Sequence, residues 1–225
     1  LPGLVRFVPG QDTPGAKTLA AKLQELQIGV GKAQAAYDSR APERTAPWLE
    51  VLLRILRELT AEVPAQGREE VVSRLADEQR DVEQALSLAL GMRLEARASD
   101  DTVVPGQSFR VDVSLRNEGR DPLPLHALAL DVPPGWRAAA AEPAPAQVAG
   151  TEVRLAFDVT VAKDAPFTRP YWKKAPDRDR LLVDPREHET LPWSPPDLVA
   201  RAVWGTPGIT STTPVRWRGG RSPGV

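Results

Sequence analysis

The chain of 225 residues contains no cysteine. This absence excludes disulfide bonds, thiolate metal ligands and cysteine nucleophiles together. It leaves the cellular compartment open, because many secreted bacterial domains also lack cysteine.

Histidine is scarce, since only His126 and His188 are present. A catalytic zinc site normally needs about three protein ligands and an open position for water. His188 lies among the acidic residues of Asp184–Glu189, which could offer carboxylates to a metal, but no second histidine has matching spacing. We therefore favour a solvated charged loop for His188. His126 has the parity of Leu128 and Leu130, which predicts a position at the edge or rim of a strand.

Long apolar runs and dense basic stretches are also missing. No run of about 18 apolar residues is present, so no membrane span is predicted. The formal net charge is −1, and arginines and lysines form no continuous stripe. Nucleic acid is therefore not expected as a partner, because its binding requires clustered positive charge.

Three segments of the first 91 residues have apolar residues at helical spacing. They predict helices over about 14–39, 45–63 and 68–90, and the first is preceded by the start signal Thr13-Pro14. A glycine in a left-handed conformation is expected to end the third helix at Gly91. The short connections predict an antiparallel three-helix bundle over residues 1–91. The first two stripes consist of Leu19, Leu23, Leu26, Val30, Ala33 and Tyr37, and of Trp48, Leu52, Ile55, Leu59 and Val63.

After Gly91 the apolar period changes from about 3.6 to 2, which indicates strands. Alternating segments begin near Met92, Phe109, Leu128 and Val153. Turn sequences rich in proline, glycine and asparagine separate them. This pattern predicts an immunoglobulin-like β-sandwich over residues 92–162.

Residues 163–225 have a weaker pattern. The stretch 166–196 is rich in proline and charge, and we expect it to be irregular. Alternation at 198–204 predicts one further strand, and 215–217 suggests another. We interpret residues 163–225 as an irregular segment with the start of a second β module. The fold class predicted for the whole chain is therefore α+β and multidomain.

Two groups of residues resemble known families. Asp164–Trp172 and Leu191–Ala200 resemble the region after the catalytic domain of large bacterial PIG-L (LmbE-like) deacetylases. The turns Val104–Gln107, Leu115–Gly119 and Val132–Trp136 are similar to those of the immunoglobulin-like domain often attached to bacterial glycosidases and deacetylases. Together the resemblance covers roughly residues 92–217.

The PIG-L resemblance implies a parent enzyme that is a zinc-dependent hydrolase of N-acetyl groups on sugars, located outside the cytoplasm. The His-Pro-Asp-Asp motif of that family is absent from this chain, so no catalytic, cofactor-binding or metal-binding residue is assigned here. Zinc is expected only in a catalytic domain upstream of Leu1. That upstream domain is the first expected partner, and carbohydrate is the second. Whether this chain itself has enzymatic activity is left open.

Aromatic residues are concentrated in the last third of the chain: Tyr171, Trp172, Trp193, Trp204 and Trp217. The first four supply the candidate contact site. Exposed aromatic rings can stack on the apolar faces of sugars. The alternative is that the rings anchor a loop on a neighbouring domain, which is the more frequent role of buried tryptophan. Trp136 is expected to fill the sandwich core. The pair Asp100-Asp101 is interpreted as a turn between strands.

Two functions remain in competition at this point. The first is a non-catalytic accessory region of a secreted sugar deacetylase, which positions the catalytic domain or contacts glycan. The second is a stand-alone module that binds protein at the cell surface. A His-Pro-Asp-Asp motif encoded upstream is expected under the first function and not under the second.

Overall fold

The computed structural model describes most of the chain, over residues 14–63, 68–119, 121–148, 152–170, 172–176, 181–183, 195–206 and 208–217. Three helices are followed by strands that form sandwich-like sheets, which confirms the predicted order. The helices are α1 (Pro14–Ala36), α2 (Ala46–Glu62) and α3 (Arg68–Ala89), and a 3-10 turn (Pro42–Thr45) precedes α2.

The first helix ends earlier than its apolar pattern predicts. The side chain of Asp38 accepts a hydrogen bond from the amide of Arg40 at 2.9 Å, and the Asp38 carbonyl accepts one from Ala41 at 3.0 Å. These bonds replace helical pairing just before the proline-led turn. Tyr37, predicted on the buried stripe, therefore lies outside the helix and is exposed. In contrast, Gly91 follows α3 with a φ of 70°, as predicted.

Helices α1 and α2 run antiparallel and pack closely. Lys22 of α1 pairs with Glu58 and Glu62 near the end of α2. Farther along α1, a Cβ atom added at Gly29 would lie 2.6 Å from the Cδ2 atom of Leu52. Only glycine permits this approach without displacement of the leucine, because real Cβ contacts are longer.

Eleven strands are described, in three sheets. The five-stranded sheet has the order β11-β1-β2-β6-β4, and the four-stranded sheet has the order β10-β9-β3-β5. The third is a β7-β8 pair. The strands are β1 (Met92–Ala98), β2 (Ser108–Asn117), β3 (Leu123–Asp131), β4 (Arg137–Ala140), β5 (Gln147–Val148), β6 (Glu152–Thr160), β7 (Trp172–Lys174), β8 (Leu181–Val183), β9 (Val199–Trp204), β10 (Ile209–Pro214) and β11 (Arg216–Trp217).

Alternate residues of the two large sheets form the sandwich core. Val111, Val113 and Leu115 of β2 are buried, and the residues between them are more exposed or charged. Strand β6 contributes Leu155 and Phe157 in the same alternation. Burial of each such side chain stabilises the fold by about 1.5–3 kcal/mol relative to exposure.

The C-terminal strands differ from the prediction of a second β module. Strand β9 pairs with β3, with Ala200 opposite Leu130, and β10 pairs with β9. This pairing occurs because every second side chain of β9 is fully buried. These side chains are Ala200, Ala202 and Trp204. The face that they form completes the sandwich core, so β9 and β10 belong to the same sandwich. The predicted irregular stretch 166–196 also contains the short hairpin of β7 and β8.

The helices pack directly on the four-stranded sheet, through α3 and β10. Buried apolar side chains from the helices and the sandwich form one contiguous cluster. None of the described helices combines the length and the apolar character that a membrane crossing requires.

A buried ion pair lies next to the contact between α3 and β10. Glu83 of α3 is only 3% exposed, and its carboxylate accepts hydrogen bonds from Arg57 at 3.0 Å and from Gln79 at 3.2 Å. Arg57, on α2, also donates to the carbonyl of Gly208, which immediately precedes β10. One guanidinium therefore joins two helices to the sheet.

A second set of polar contacts lies in the same contact region. The hydroxyls of Ser87 and Ser211 are 2.8 Å apart, and the Trp204 indole donates to Ser211 at 2.8 Å. We call Arg57, Glu83, Ser87, Trp204 and Ser211 the junction network. Its members connect α2 and α3 with β9 and β10.

Candidate functional site

A cleft of about 640 Å³ opens at one end of the sandwich. This volume is within the range of about 300–1,000 Å³ that is typical of small-molecule sites. The cleft is lined by residues from six stretches: 98–105, Phe109, Trp136, 161–168, 196–198 and 215–217. We call it the end cleft.

The strand directions explain why these separate stretches meet. Antiparallel pairing places the start of β2 beside the end of β6, with Ser108 opposite Thr160. It also places the start of β9 beside the end of β3, with Val199 opposite Asp131. The end of β1 reaches the same edge, because Ala98 lies opposite Val111. The end cleft is therefore assembled by the topology from segments distant in sequence.

Aromatic rings form the apolar part of the end cleft. Phe109 is buried, and its ring lies edge to face with Trp136 at a centroid distance of 6.3 Å. Phe167 and Trp217 are the outer rings, 78% and 43% exposed. Exposed apolar side chains that line one cleft together are a feature of interaction sites, whereas single exposed ones are common on protein surfaces.

The turn before β4 holds Trp136 in this position. Its amide donates to the carbonyl of Pro133 at 3.1 Å. Gly135 has a φ of 81°, a conformation that glycine adopts without strain. Trp136 is partly buried and packs against the core, whereas the sequence predicted that it fills the core.

Acidic side chains form the polar part of the end cleft. Asp100, Asp101 and Asp197 line it, and Arg216 is the one basic residue of the lining that the structure describes. The hydroxyl of Ser99 donates to Asp100 at 2.8 Å. The predicted turn at Asp100-Asp101 is thus also part of the cleft wall.

The described lining of the end cleft offers both apolar and polar surfaces for binding. Its polar groups are carboxylates, threonines and one guanidinium, with no histidine beside a hydroxyl. Across the described part of the chain, no group of three or more histidine, aspartate or glutamate side chains is placed to hold a metal ion.

The two predicted contact residues that the structure describes, Trp172 and Trp204, have different positions. Tyr171 and Trp193 lie outside the described residues. Trp172 is on β7, about half exposed, and does not line the end cleft. Trp204 is 0% exposed, so its ring is out of reach of a glycan, and it packs where the helices meet the sheet.

The structure describes one of the two histidines, His126. His188 lies outside the described residues. His126 is exposed at a bulge in β3, between Leu125 and Ala127, and its Nε2 atom lies 2.8 Å from the carbonyl of Gly205. This contact gives His126 a local structural partner.

Trp217 belongs to the aromatic group noted in the sequence but was not chosen as a contact residue, and Phe167 was not in that group. A signal for Phe167 exists, because it is an aromatic residue after a proline in the loop that follows the last clear strand. The position of Trp217 in the end cleft depends on the parallel pairing of β11 with β1, in which Trp217 lies opposite Ala98, and no local pattern predicts that pairing.

A second surface, the outer face of the five-stranded sheet, carries charges of both signs. Arg110 pairs with Asp112 at 2.8 Å, and Arg154 pairs with Glu152. The hydrogen bond from Arg154 holds the pKa of Glu152 below its ordinary value. Because neighbouring charges neutralise each other, this face is typical of a solvated sheet surface.

Residues 103–170 match the family model described as "NPCBM-associated, NEW3 domain of alpha-galactosidase". The matched segment contains β2 to β6 and three of the four described aromatic residues that line the end cleft. No curated protein matches the chain. Among solved structures, the yeast GGA1 GAE domain is similar at 11% identity, over 54% of this chain and 86% of that chain, with a TM-score of 0.31.

Proposed function

We propose that this chain is a non-catalytic accessory region of an extracytoplasmic sugar-acting hydrolase, and that its end cleft contacts glycan. The observation that carries this proposal is the pair of exposed rings, Phe167 and Trp217, beside carboxylates in one cleft. The similarity of residues 103–170 to a domain associated with α-galactosidase supports the link to carbohydrate.

The chemistry of the cleft suits a sugar. One face of a pyranose ring is largely C–H, and it can cover an aromatic face and remove apolar area from water. The hydroxyl groups at the ring edge can donate to carboxylates such as Asp101 and Asp197. Hydrogen bonds to a charged acceptor are stronger than those between neutral groups.

The junction network supports a second part of the role, which is to position a catalytic domain. The Arg57–Glu83 pair and the Ser87–Ser211 contact connect helices and sheet. Because these contacts join the helices to the sandwich, the end cleft would keep a constant distance from a domain that the helices contact. We therefore propose that the helices are the side that faces the enzyme.

For the parent enzyme we propose a zinc-dependent N-acetyl-sugar deacetylase, on the resemblance of residues 164–172 and 191–200 to PIG-L proteins. A glycosidase is the second candidate, because the matching family description names α-galactosidase. The full-length reading frame distinguishes them. Acetate release from N-acetylated sugars with zinc supports the first, and hydrolysis of α-galactosides supports the second. A reading frame without a catalytic domain would favour the stand-alone interaction module.

The glycan contact is tested by binding to soluble polysaccharides in affinity electrophoresis and to oligosaccharides in calorimetry. Trp217→Ala and Phe167→Ala are each expected to weaken binding by about tenfold, since one stacked ring contributes about 0.5–1.5 kcal/mol beyond its buried area.

Trp172→Ala is the matched control. It removes an exposed aromatic ring of the same kind from outside the end cleft, so binding should stay within about twofold of wild type. If Trp172→Ala and Trp217→Ala lowered glycan affinity equally, the assignment of the site to the end cleft would be contradicted. Absence of binding to any glycan would contradict the function itself.

A further inference from the structure

The end cleft has a local excess of negative charge. Its described lining residues include three acidic side chains, Asp100, Asp101 and Asp197, and one basic side chain, Arg216. The whole chain is nearly neutral, with a net charge of −1. The excess is therefore a property of this cleft and does not reflect the average composition.

Two of these carboxylates are available to a ligand. Asp101 and Asp197 are exposed and form no hydrogen bond or ion pair with another residue that the structure describes. The outer sheet face is different, because its carboxylates pair with arginines, as Asp112 does with Arg110. Acidic groups in the cleft thus retain the capacity to bind a cation.

We infer that the end cleft takes a sugar polymer that carries free amino groups, such as a partly N-deacetylated amino-sugar chain. This inference rests on the proposed glycan function and adds the class of ligand. The apolar sugar faces would cover Phe167 and Trp217. The ammonium groups would lie beside Asp101 and Asp197, where charge-assisted hydrogen bonds form.

The same charges act against other glycans. A uronic-acid polymer would bring carboxylates next to Asp100, Asp101 and Asp197, and like charges placed together disfavour binding. A fully N-acetylated chain keeps the stacking contacts and loses the ion pairs. The expected order of affinity is therefore amino sugar, then N-acetylated sugar, then uronate.

Calorimetry with three oligosaccharides of equal length tests this order: a glucosamine oligomer, an N-acetylglucosamine oligomer and a galacturonate oligomer. At about pH 5.5 and low salt, amines are charged and carboxylates are ionised. We expect the glucosamine oligomer to bind about tenfold more tightly than the N-acetylated one, because exposed ion pairs add modest free energy. The difference should shrink at high salt, where the charges are screened.

Variants separate charge from stacking. Asp101→Asn and Asp197→Asn together should remove the preference for the amine. Binding of the glucosamine oligomer should weaken about tenfold more than binding of the N-acetylated oligomer, which loses only the hydroxyl contacts to the two carboxylates. Trp217→Ala should weaken both. Asp81→Asn is the control, because Asp81 is an exposed carboxylate on α3, outside the cleft.

The outcomes for the two proposals are distinct. If the N-acetylated or the galacturonate oligomer binds as tightly as the glucosamine oligomer, the inference about the ligand class is overturned and the glycan function stands. If Asp81→Asn lowers amine binding as much as the cleft variants do, the amine is held by general surface charge and the inference is again overturned. If no oligosaccharide binds, the proposed glycan function fails as well.

Discussion

At the scale of single residues, Glu83 is the most constrained charge that the structure describes. It is almost completely buried, and its carboxylate is compensated by Arg57 and Gln79. A buried charge pair adds little net stability when it is formed, because desolvation opposes the attraction. Removal of one partner is costly, however, since it leaves the other without compensation.

Glu83→Ala is expected to lower the free energy of unfolding by about 3 kcal/mol, at the low end of the range for broken buried pairs. The low end applies because the Arg57 side chain is one-third exposed and keeps its bond to Gly208. Urea denaturation followed by circular dichroism measures the change.

Glu58→Ala is the matched control for that measurement. Glu58 is also paired, with Lys22 and Arg54, but its side chain is substantially exposed. Exposed pairs contribute about 0–1 kcal/mol, so the control should be nearly as stable as wild type. A loss of the same size in both variants would show that burial does not set the cost.

At the scale of elements, the pairing of β3 with β9 holds the sandwich together across a long stretch of sequence. Arg201 of β9 donates two hydrogen bonds to Asp131 of β3, both at 2.9 Å. The hydrogen bonds from Arg201 hold the pKa of Asp131 below its ordinary value. This cross-strand pair joins β3 to β9, two neighbouring strands of the four-stranded sheet that are about 70 residues apart in sequence.

The lowered pKa of Asp131 gives the pairing a pH dependence. The contribution to stability is fully present above the unfolded-state pKa of about 3.9, and it is lost as pH falls through the lower folded-state value. Asp131→Asn should therefore be less stable than wild type at pH 7, by less than about 1 kcal/mol because the Asp131 side chain is 50% exposed.

Urea denaturation at a series of pH values checks this expectation. The difference between Asp131→Asn and wild type should narrow below about pH 4 and vanish once Asp131 is protonated in the folded protein. A difference that stays constant down to about pH 2 would show that the arginine pair does not produce it.

Elements with strong periodicity were predictable from the sequence, and those without it were not. An apolar pattern repeats over many residues in helices α1 to α3 and in strands β1, β2 and β6. The repeat indicates the type of each element and its position in the sequence. Strands β4 and β5 are too short to show a period. The pattern of β9 predicted a strand, but its partner β3 depends on which sheet face is left uncovered, and no local pattern encodes that.

The candidate site was predicted only in part, for the same reason. Aromatic residues in the last third were recognised as a group, yet the alternation around Trp204 and Trp217 did not distinguish the buried ring from the exposed one. Their difference arises because β9 is a central strand and β11 is a two-residue edge. The carboxylates Asp100 and Asp197 join one cleft only when distant strand ends meet.

At the scale of the whole molecule, helices and sandwich are expected to unfold together. Their buried side chains form one cluster, and the junction network adds polar contacts across the boundary. Thermal transitions measured by the helical circular dichroism signal and by tryptophan fluorescence should therefore coincide for the wild type.

The double variant Glu83→Ala, Ser211→Ala should separate the midpoints of these transitions by several degrees. It removes one polar member of the junction network from α3 and one from β10. Ser108→Ala in place of Ser211→Ala is the control, since Ser108 contacts Thr160 within the five-stranded sheet. Two separate transitions in the wild type would contradict the expectation of a single cooperative unit.

The short strand β11 has a consequence for solubility. It pairs with β1 only at Arg97 and Ala98, so the earlier part of β1 has no strand partner on that side among the described residues. Arg93 and Glu95 place charges along this stretch, and at the border of the other sheet β10 ends in Pro214 and lies against α3. Exposed edge strands can pair with other chains and start fibrillar aggregation. Charged side chains, proline and a covering helix are the features that oppose such pairing.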